Sequence, residues 1–224
     1  MLSIAALCKQ KGWIFEYYTK KIHGKLDENS NYAQALHLGM VHKELDENYY
    51  KEFIASLTLE LDERTFLLNQ GGADVSAKAG IKELADEIRK SALDVKSVAT
   101  PSGTGTTALM LALQLPEYKV YTTPAVGDKQ YLLEQMTTLY EVPNNLIILE
   151  SEKKYHFAKP YKEFYEIYSK LKKEGIEFDL LYAPKLWKLL VEQTDEEILY
   201  IHSGGVTGNV SMLERYRYKG LVSI

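Results

Sequence analysis

The stretch Thr100-Pro-Ser-Gly-Thr-Gly-Thr-Thr-Ala108 lies where a short apolar strand is expected to turn into a helix. Residues 95–99 have the apolar character of a buried strand, and residues 106–115 are rich in alanine and leucine, as a helix is. Gly103 and Gly105 would let the backbone approach a ligand closely, and amides at a helix start point at anions. The stretch predicts a phosphate cradle; the alternative is a tight strand-to-helix turn with a hydroxyl cap.

The residues around the two glycines limit the kind of phosphate ligand. The stretch lacks the Gly-Lys-Ser/Thr ending of a nucleoside-triphosphate loop and does not fit the three-glycine dinucleotide fingerprint. Hydroxyl groups at Ser102, Thr104, Thr106 and Thr107 would add hydrogen-bond donors. This pattern favours a ligand with a single phosphate group, and a free phosphate or sulfate ion would also suit it.

Composition excludes several classes of protein. The chain has 224 residues, 46% of them hydrophobic, and a net charge of −4, which argues against a nucleic-acid-binding surface. Its single cysteine, Cys8, excludes a disulfide framework and a multi-cysteine zinc site. The five histidines are dispersed, so no metal site is expected. No apolar run is long enough for a membrane span and no signal-peptide pattern opens the chain, which predicts a cytoplasmic protein.

The order of predicted elements indicates the fold class. Strand patterns alternate with amphipathic helices, which predicts an α/β fold with mainly parallel sheets covered on both faces. The predicted strands are residues 13–19, 65–68, 95–99, 119–123, 146–149, 178–182 and 198–202. Four of them, at 95–99, 119–123, 178–182 and 198–202, are expected to share one sheet.

A second glycine-rich loop follows the last predicted strand. Residues 203–208 run from that strand towards a helix, just as residues 102–107 do earlier in the chain. Open parallel sheets bind ligands beyond the carboxyl ends of their strands, so both loops are expected to face one crevice. The turn Gln70-Gly71-Gly72 is a candidate for a third wall of that crevice.

Taken in chain order, these blocks carry a resemblance to a known family. The blocks are Asn69-Gln-Gly-Gly-Ala73 with Gly80 and Leu84-Ala-Asp-Glu-Ile88, then Thr100 to Ala108, Phe178-Asp-Leu-Leu-Tyr182, and Ile201-His-Ser-Gly-Gly-Val206. The chain resembles the pyridoxal-phosphate enzymes of the 1-aminocyclopropane-1-carboxylate deaminase and D-cysteine desulfhydrase family, of the tryptophan synthase β-like fold (fold type II). The resemblance implies a homodimer with a cofactor between two α/β domains, here residues 1–68 (small domain) and 69–224 (large domain).

The resemblance also assigns site residues. It gives the phosphate cradle to six consecutive residues: Ser102, Gly103, Thr104, Gly105, Thr106 and Thr107. Tyr182 matches an active-site tyrosine near the pyridine edge, and Gly204 and Gly205 match the glycine pair that borders the cofactor pocket. The next position normally supplies a polar partner to the pyridine nitrogen, but this chain has Ala183 there.

Family members also carry a Gly-Asn-Lys segment, whose lysine forms the Schiff base, and a Ser-Asn turn that holds the substrate carboxylate. Neither segment is found here, and Lys185 lies in a different part of the fold. The chain is therefore expected to be N-terminally truncated, to begin inside the small domain and to bind pyridoxal phosphate noncovalently or not at all. Association with a missing N-terminal segment is an alternative to the homodimer.

Three functions remain open from the sequence. The first is a pyridoxal-phosphate lyase or deaminase acting on a small amino acid, inactive or incomplete as this chain alone. The second is a noncatalytic protein that binds a phosphate ligand or the cofactor. The third is a nucleotide-binding α/β protein, ranked last because no acidic ribose partner follows the loop at dinucleotide spacing.

Overall fold

The computed structural model describes residues 1–22, 28–91 and 93–222, without the side chains of residues 58–60. One of the five histidines, His23, lies outside the described residues. The chain divides into two compact units, Met1–Leu67 and Leu68–Ile224.

The first unit contains a parallel pair of strands with helices around it. Its elements are α1 (Leu2–Lys11), β1 (Glu16–Lys20), α2 (Asn31–His37), β2 (Val41–Leu45) and α3 (Tyr50–Glu60). The strands β1 and β2 pair in parallel from Glu16 opposite Val41 to Lys20 opposite Leu45. A small core of Ala5, Ala35 and Met40 joins α1 to α2 and to the approach to β2. The aromatic strand predicted in this region is present as β1, whereas β2 was missed.

The second unit carries the larger sheet. Its helices are α4 (Ala77–Lys90), α5 (Thr106–Gln114), α6 (Lys129–Thr137), α7 (Lys162–Lys173), α8 (Ala183–Gln193) and α9 (Asn209–Tyr218). Its strands are β3 (Ser97–Ala99), β4 (Lys119–Thr122), β5 (Leu146–Ile148) and β6 (Leu199–Tyr200). They pair in the order β5-β4-β3-β6, and every pairing is parallel.

Alternate residues of the central strands face opposite sides of this sheet. Val98 and Val120 pack into a core that α4, α5 and α6 cover, and Ala99 and Tyr121 pack against α8 on the other side. Burying both faces explains why these strands are nearly continuous apolar runs. The predicted α/β fold with parallel sheets covered on both faces is confirmed.

Two predicted strands are wrong, and side-chain hydrogen bonds explain one of them. Residues 178–182 do not form a strand; β5 occupies the edge of the sheet instead. The side chain of Asn209 donates to the Phe178 carbonyl (2.9 Å) and accepts from the Leu180 amide (2.8 Å), so the backbone needs no neighbouring strand. Residues 65–68 are also irregular, and Phe66 is 69% exposed, so no core holds that segment in a sheet.

The described ranges contain neither a membrane-spanning helix nor a cluster of metal-binding side chains. Among these residues, no helix is both long enough and apolar enough to cross a bilayer. Within the same ranges, histidine, cysteine and acidic side chains form no group of three or more that could hold a metal ion.

Candidate functional site

The first glycine loop, residues 100–105, follows β3 and leads directly into α5. Gly105 has a φ of 82°, in the left-handed region that favours glycine. A Cβ atom at this position would lie 2.5 Å from Met136 Cε and 2.9 Å from Leu132 Cδ1. Glycine is therefore required at position 105 for two reasons: the left-handed backbone conformation and the close approach of α6.

The loop presents unpaired backbone donors. In the described part of the chain, the amides of residues 103–107 donate to no other group, and the start of α5 has no side-chain cap. The first amides of any helix lack partners within the helix, and the positive end of the helix dipole lies at the same place. Gly103, Thr104 and Thr107 are half-buried rather than fully buried, so a ligand can reach the loop. The arrangement fits an anion the size of a phosphate.

The hydroxyl groups of the loop do not all point to this anion site. The Thr122 hydroxyl donates to the Thr100 carbonyl (2.7 Å) and lies 2.6 Å from the Ser102 hydroxyl. Because the only hydrogen of the Thr122 hydroxyl is already used, the Ser102 hydroxyl must be the donor of the second bond. The Ser102 amide donates to the Thr123 carbonyl (3.1 Å) as well. Both donors of Ser102 are thus used inside the fold.

The threonines of the cradle are placed differently. Thr104 and Thr106 share a hydrogen bond of 3.0 Å between their hydroxyl groups, and Thr106 is buried. The turn at residues 70–72 packs against Thr104, since a Cβ atom at Gly71 would come within 2.7 Å of Thr104 Cγ2. The structure therefore brings the Gln70–Gly72 turn next to the first glycine loop.

Tyr182 lies beside this loop at the start of α8. Its ring atom Cε1 is 3.6 Å from the position that a Cβ atom of Gly103 would take, and its other neighbours include the ring of Phe157, with 5.1 Å between ring centroids. Burial, and then the charge of Asp179, raises the pKa of the Tyr182 phenol above its ordinary value. Tyr182 is therefore a half-buried phenol that keeps its proton, close to the cradle.

The second glycine loop, residues 203–208, follows β6 and meets the first. The Thr100 hydroxyl donates to the Ser203 hydroxyl at 3.5 Å, which joins the two loops. Gly204 rests on the carboxylate of Asp179, and a Cβ atom at this position would collide with it. Gly205 is exposed, and a Cβ atom there would meet only the Thr207 hydroxyl, at 3.7 Å.

Two side chains at the site were missed by the sequence reasoning. Asp179 and Asn209 are buried and hold the backbone before α8, Asp179 by accepting from the amides of Leu181 and Tyr182. Both residues lie inside or next to blocks that were singled out, but neither spacing nor composition shows which backbone groups a short polar side chain reaches. The signal available was only their polarity within apolar surroundings.

Ala183 and Lys185 follow Tyr182 closely in the chain, and their surroundings show which polar groups they could offer to the rest of a cofactor. Ala183 is fully buried and packs with Phe178 and Met212, so it offers no polar group to a ligand. The ammonium of Lys185 donates to the Pro124 carbonyl at 2.7 Å, and burial lowers its pKa. Lys185 is thus held at the end of β4 by a neutral carbonyl.

Several solved structures are similar to this one. It is similar to a hydrogen sulfide-producing enzyme from Fusobacterium nucleatum, with 15% identity over 91% of this chain and 74% of that chain and a TM-score of 0.63. The chain has the tryptophan synthase β-like fold. It is also similar to the processed form of threonine deaminase isoform 2 from Solanum lycopersicum, with 10% identity over 100% of this chain and 71% of that chain and a TM-score of 0.59.

A third similar structure is O-ureido-L-serine synthase, with 14% identity over 98% of this chain and 72% of that chain and a TM-score of 0.58. No protein-family model matches the sequence, and no curated protein matches it significantly. Identities this low carry the fold and nothing finer, so the activity has to be argued from the site.

Proposed function

We propose that this protein is a pyridoxal-phosphate lyase or deaminase that acts on a small amino acid, as in the 1-aminocyclopropane-1-carboxylate deaminase and D-cysteine desulfhydrase family. The observation that carries the proposal is the set of amides at residues 103–107 that have no partner among the described residues and lie at the start of a helix and at the carboxyl end of a parallel strand. In open α/β sheets this edge is where ligands bind. A second support is Tyr182, which lies beside the same loop.

Each part of the site would have one task. The amides of residues 103–107 would bind the phosphate group. Glycine at position 105 would allow this, because a side chain there would overlap with Met136 and Leu132 of α6 and displace the loop. Tyr182 would lie beside the ligand ring and hold a proton on its phenol oxygen, because burial and the charge of Asp179 raise its pKa. When bound, pyridoxal phosphate supplies the electron sink that stabilises a carbanion at the substrate.

A second function is favoured by one observation. Because Ala183 is buried in the core, it cannot supply the hydrogen bond or charge that would tune the pyridine nitrogen. A protein that binds the phosphate ligand without turning over an amino acid would also use the cradle and would not need such a partner. Binding and turnover must therefore be measured separately.

The cradle is tested by nuclear magnetic resonance with 15N-labelled protein. Titration with inorganic phosphate should shift the amide signals of residues 103–107, because these amides would become hydrogen-bond donors. Pyridoxal phosphate should shift the same signals, and pyridoxal without the phosphate should bind at least about tenfold more weakly. Unchanged signals at residues 103–107 under both phosphate ligands would overturn the proposed function.

A pair of variants compares the two glycine loops in the same experiment. Gly103→Val adds a side chain between the first loop and the Tyr182 ring, and should weaken pyridoxal phosphate binding about tenfold. In Gly205→Val the added side chain would enter exposed space, and because the resemblance places Gly205 at the border of the cofactor pocket, this variant tests whether the second loop also contacts the ligand. A loss of affinity in Gly103→Val alone would confine the ligand to the first loop, equal losses would place it between the two loops, and an unchanged affinity in Gly103→Val would place it elsewhere.

Turnover separates the two candidate functions. The wild-type protein is incubated with pyridoxal phosphate and either D-cysteine or 1-aminocyclopropane-1-carboxylate, and release of ammonia or keto acid is measured. Release above that of free pyridoxal phosphate, lost in Tyr182→Phe, supports the lyase or deaminase. Phosphate-dependent binding without release supports the noncatalytic function. Borohydride reduction followed by mass spectrometry shows in addition whether one lysine is labelled stoichiometrically.

A further inference from the structure

Asp179 is a buried carboxylate that holds the turn before α8. It is 2% exposed, and its Oδ1 atom accepts hydrogen bonds from the amides of Leu181 (2.9 Å) and Tyr182 (2.6 Å). Hydrogen bonds to an ionised acceptor are about twice as strong as neutral ones. The backbone of Tyr182 is therefore fixed by Asp179 at the point where the side chain leaves towards the first glycine loop.

The second oxygen of the Asp179 carboxylate lies in a different environment from the first. Its Oδ2 atom is buried and accepts no hydrogen bond from any described residue, and it rests against Gly204. Burying an ionised group without a full set of partners costs free energy, so other features of the fold must compensate for it. Because only glycine leaves room for this carboxylate, Asp179 determines how closely the second glycine loop approaches residues 179–182.

Asn209 completes the connection between these segments. It lies at the start of α9, where the second glycine loop ends, and its side chain holds the Phe178 carbonyl and the Leu180 amide. Residues 178–182 are thus bound to the second glycine loop at two places, through Asn209 and through the contact of Asp179 with Gly204. Tyr182, at the end of this segment, faces Gly103 of the first loop.

We propose that Asp179 is a positioning residue of this site: it fixes Tyr182 against the first glycine loop, sets the second glycine loop behind it, and places a negative charge near the Tyr182 phenol. The part that concerns the ligand rests on the proposed function. The part that concerns Tyr182 rests only on the contacts of residues 178–209 and can be tested without a ligand.

The electrostatic part follows from the sign of the charge. A negative charge close to a phenol disfavours the phenolate, and the Asp179 carboxylate contributes in this way, after burial, to the raised pKa of Tyr182. It also contributes, again after burial, to the raised pKa of Tyr200, whose hydroxyl is buried without a hydrogen-bond partner among the described residues. Removing the charge while keeping the shape should therefore lower the pKa of both phenols.

The first test measures tyrosine titration in the variant Asp179→Asn. Asparagine keeps an oxygen that can accept from the Leu181 and Tyr182 amides but removes the charge, so the pKa of Tyr182 should fall. The signal of Tyr182 is followed by nuclear magnetic resonance of ring-labelled tyrosine and is assigned by its loss in Tyr182→Phe. The matched control is Asp62→Asn, which alters a carboxylate that accepts from the Arg64 amide in the other unit, and it should leave the Tyr182 titration unchanged.

The second test measures pyridoxal phosphate affinity. Asp179→Ala removes the acceptor as well as the charge and should weaken binding about tenfold, and Asp179→Asn should recover most of this loss because the turn is kept. The proposal is overturned if the pKa of Tyr182 is the same in wild type and Asp179→Asn. It is also overturned if the affinity of a folded Asp179→Ala equals that of wild type. If wild type binds no pyridoxal phosphate, the proposed function and the ligand part fail together, while a lowered Tyr182 pKa in Asp179→Asn still supports the positioning of Tyr182.

Discussion

The two glycine loops at the carboxyl edge of the sheet look alike in sequence but have different physical reasons for their glycines. In the first loop, Gly105 has a left-handed backbone and packs against apolar side chains of α6, and the amides around it donate to no group in the part of the chain that the structure describes. In the second loop, Gly204 has no such backbone requirement; it is needed because the carboxylate of Asp179 occupies the space of a side chain. One loop is shaped to present donors, and the other is shaped to fit around a buried charge.

The comparison shows that glycine spacing alone does not identify a binding loop. Both loops follow a parallel strand and precede a helix, but the first passes through a left-handed glycine, Gly105, directly into α5, whereas the second passes through a short 3-10 turn at Val206–Gly208 before α9. The second loop is more exposed, yet its contribution is structural at Gly204. Substitutions to alanine at equivalent places in the two loops would separate these roles.

The largest effect is expected for Gly105→Ala. The added Cβ atom would force a left-handed conformation on alanine and would overlap with Met136 and Leu132, and together these should lower the free energy of unfolding by about 3 kcal/mol. Urea denaturation followed by circular dichroism gives this value. A change in the free energy of unfolding below about 1 kcal/mol would mean that the loop does not pack closely against α6.

A smaller effect is expected for Gly204→Ala. The methyl group would displace the Asp179 carboxylate and weaken its bonds to the Leu181 and Tyr182 amides, which should cost about 2 kcal/mol of stability. Gly205→Ala is the control in the neighbouring position, and it should change stability by no more than about 0.5 kcal/mol. If the two variants were equally stable, Gly204 would not be in contact with Asp179.

A smaller effect on stability than at Gly105 or Gly204 is expected for Gly103→Ala. Its Cβ atom would meet the Tyr182 ring at 3.6 Å, an ordinary van der Waals distance, so the free energy of unfolding should change by less than about 1 kcal/mol. Inorganic phosphate should still shift the amide signals of residues 103–107 in this variant, because the donors are unchanged. Loss of those shifts in a folded Gly103→Ala would show that the phosphate lies on the Tyr182 side of the loop.

The sequence was sufficient for the regular parts of this fold. The apolar runs at β3 and β4, the amphipathic pattern of α4 and the glycines before α5 predict a parallel sheet with a helix start at its carboxyl edge, and the structure confirms these elements. These predictions worked because each depends on residues close together in the chain: a hydrophobic period, a turn, or a helix start. That the first loop binds a phosphate stays a prediction.

The sequence was insufficient where backbone groups are paired by distant side chains. Residues 178–182 are apolar enough for a strand, yet Asn209, about thirty positions later, takes the hydrogen bonds that a strand would make. Local strand propensity does not predict such a contact, because a buried backbone amide is satisfied equally by a side-chain partner and by a neighbouring strand. The Ser102 hydroxyl was likewise expected to donate to the anion, but it donates to the Thr122 hydroxyl on the neighbouring strand.

The sequence by itself thus determined the parallel α/β arrangement and the position of a glycine loop at a helix start, since both follow from local patterns of apolar residues and glycine. Only the tertiary structure decided which donors of that loop are free, that Tyr182 lies beside Gly103, and that Asp179 lies under Gly204. The physical reason is that a hydrogen-bond partner, and the space for a carboxylate, are properties of residues brought together by folding from distant parts of the chain.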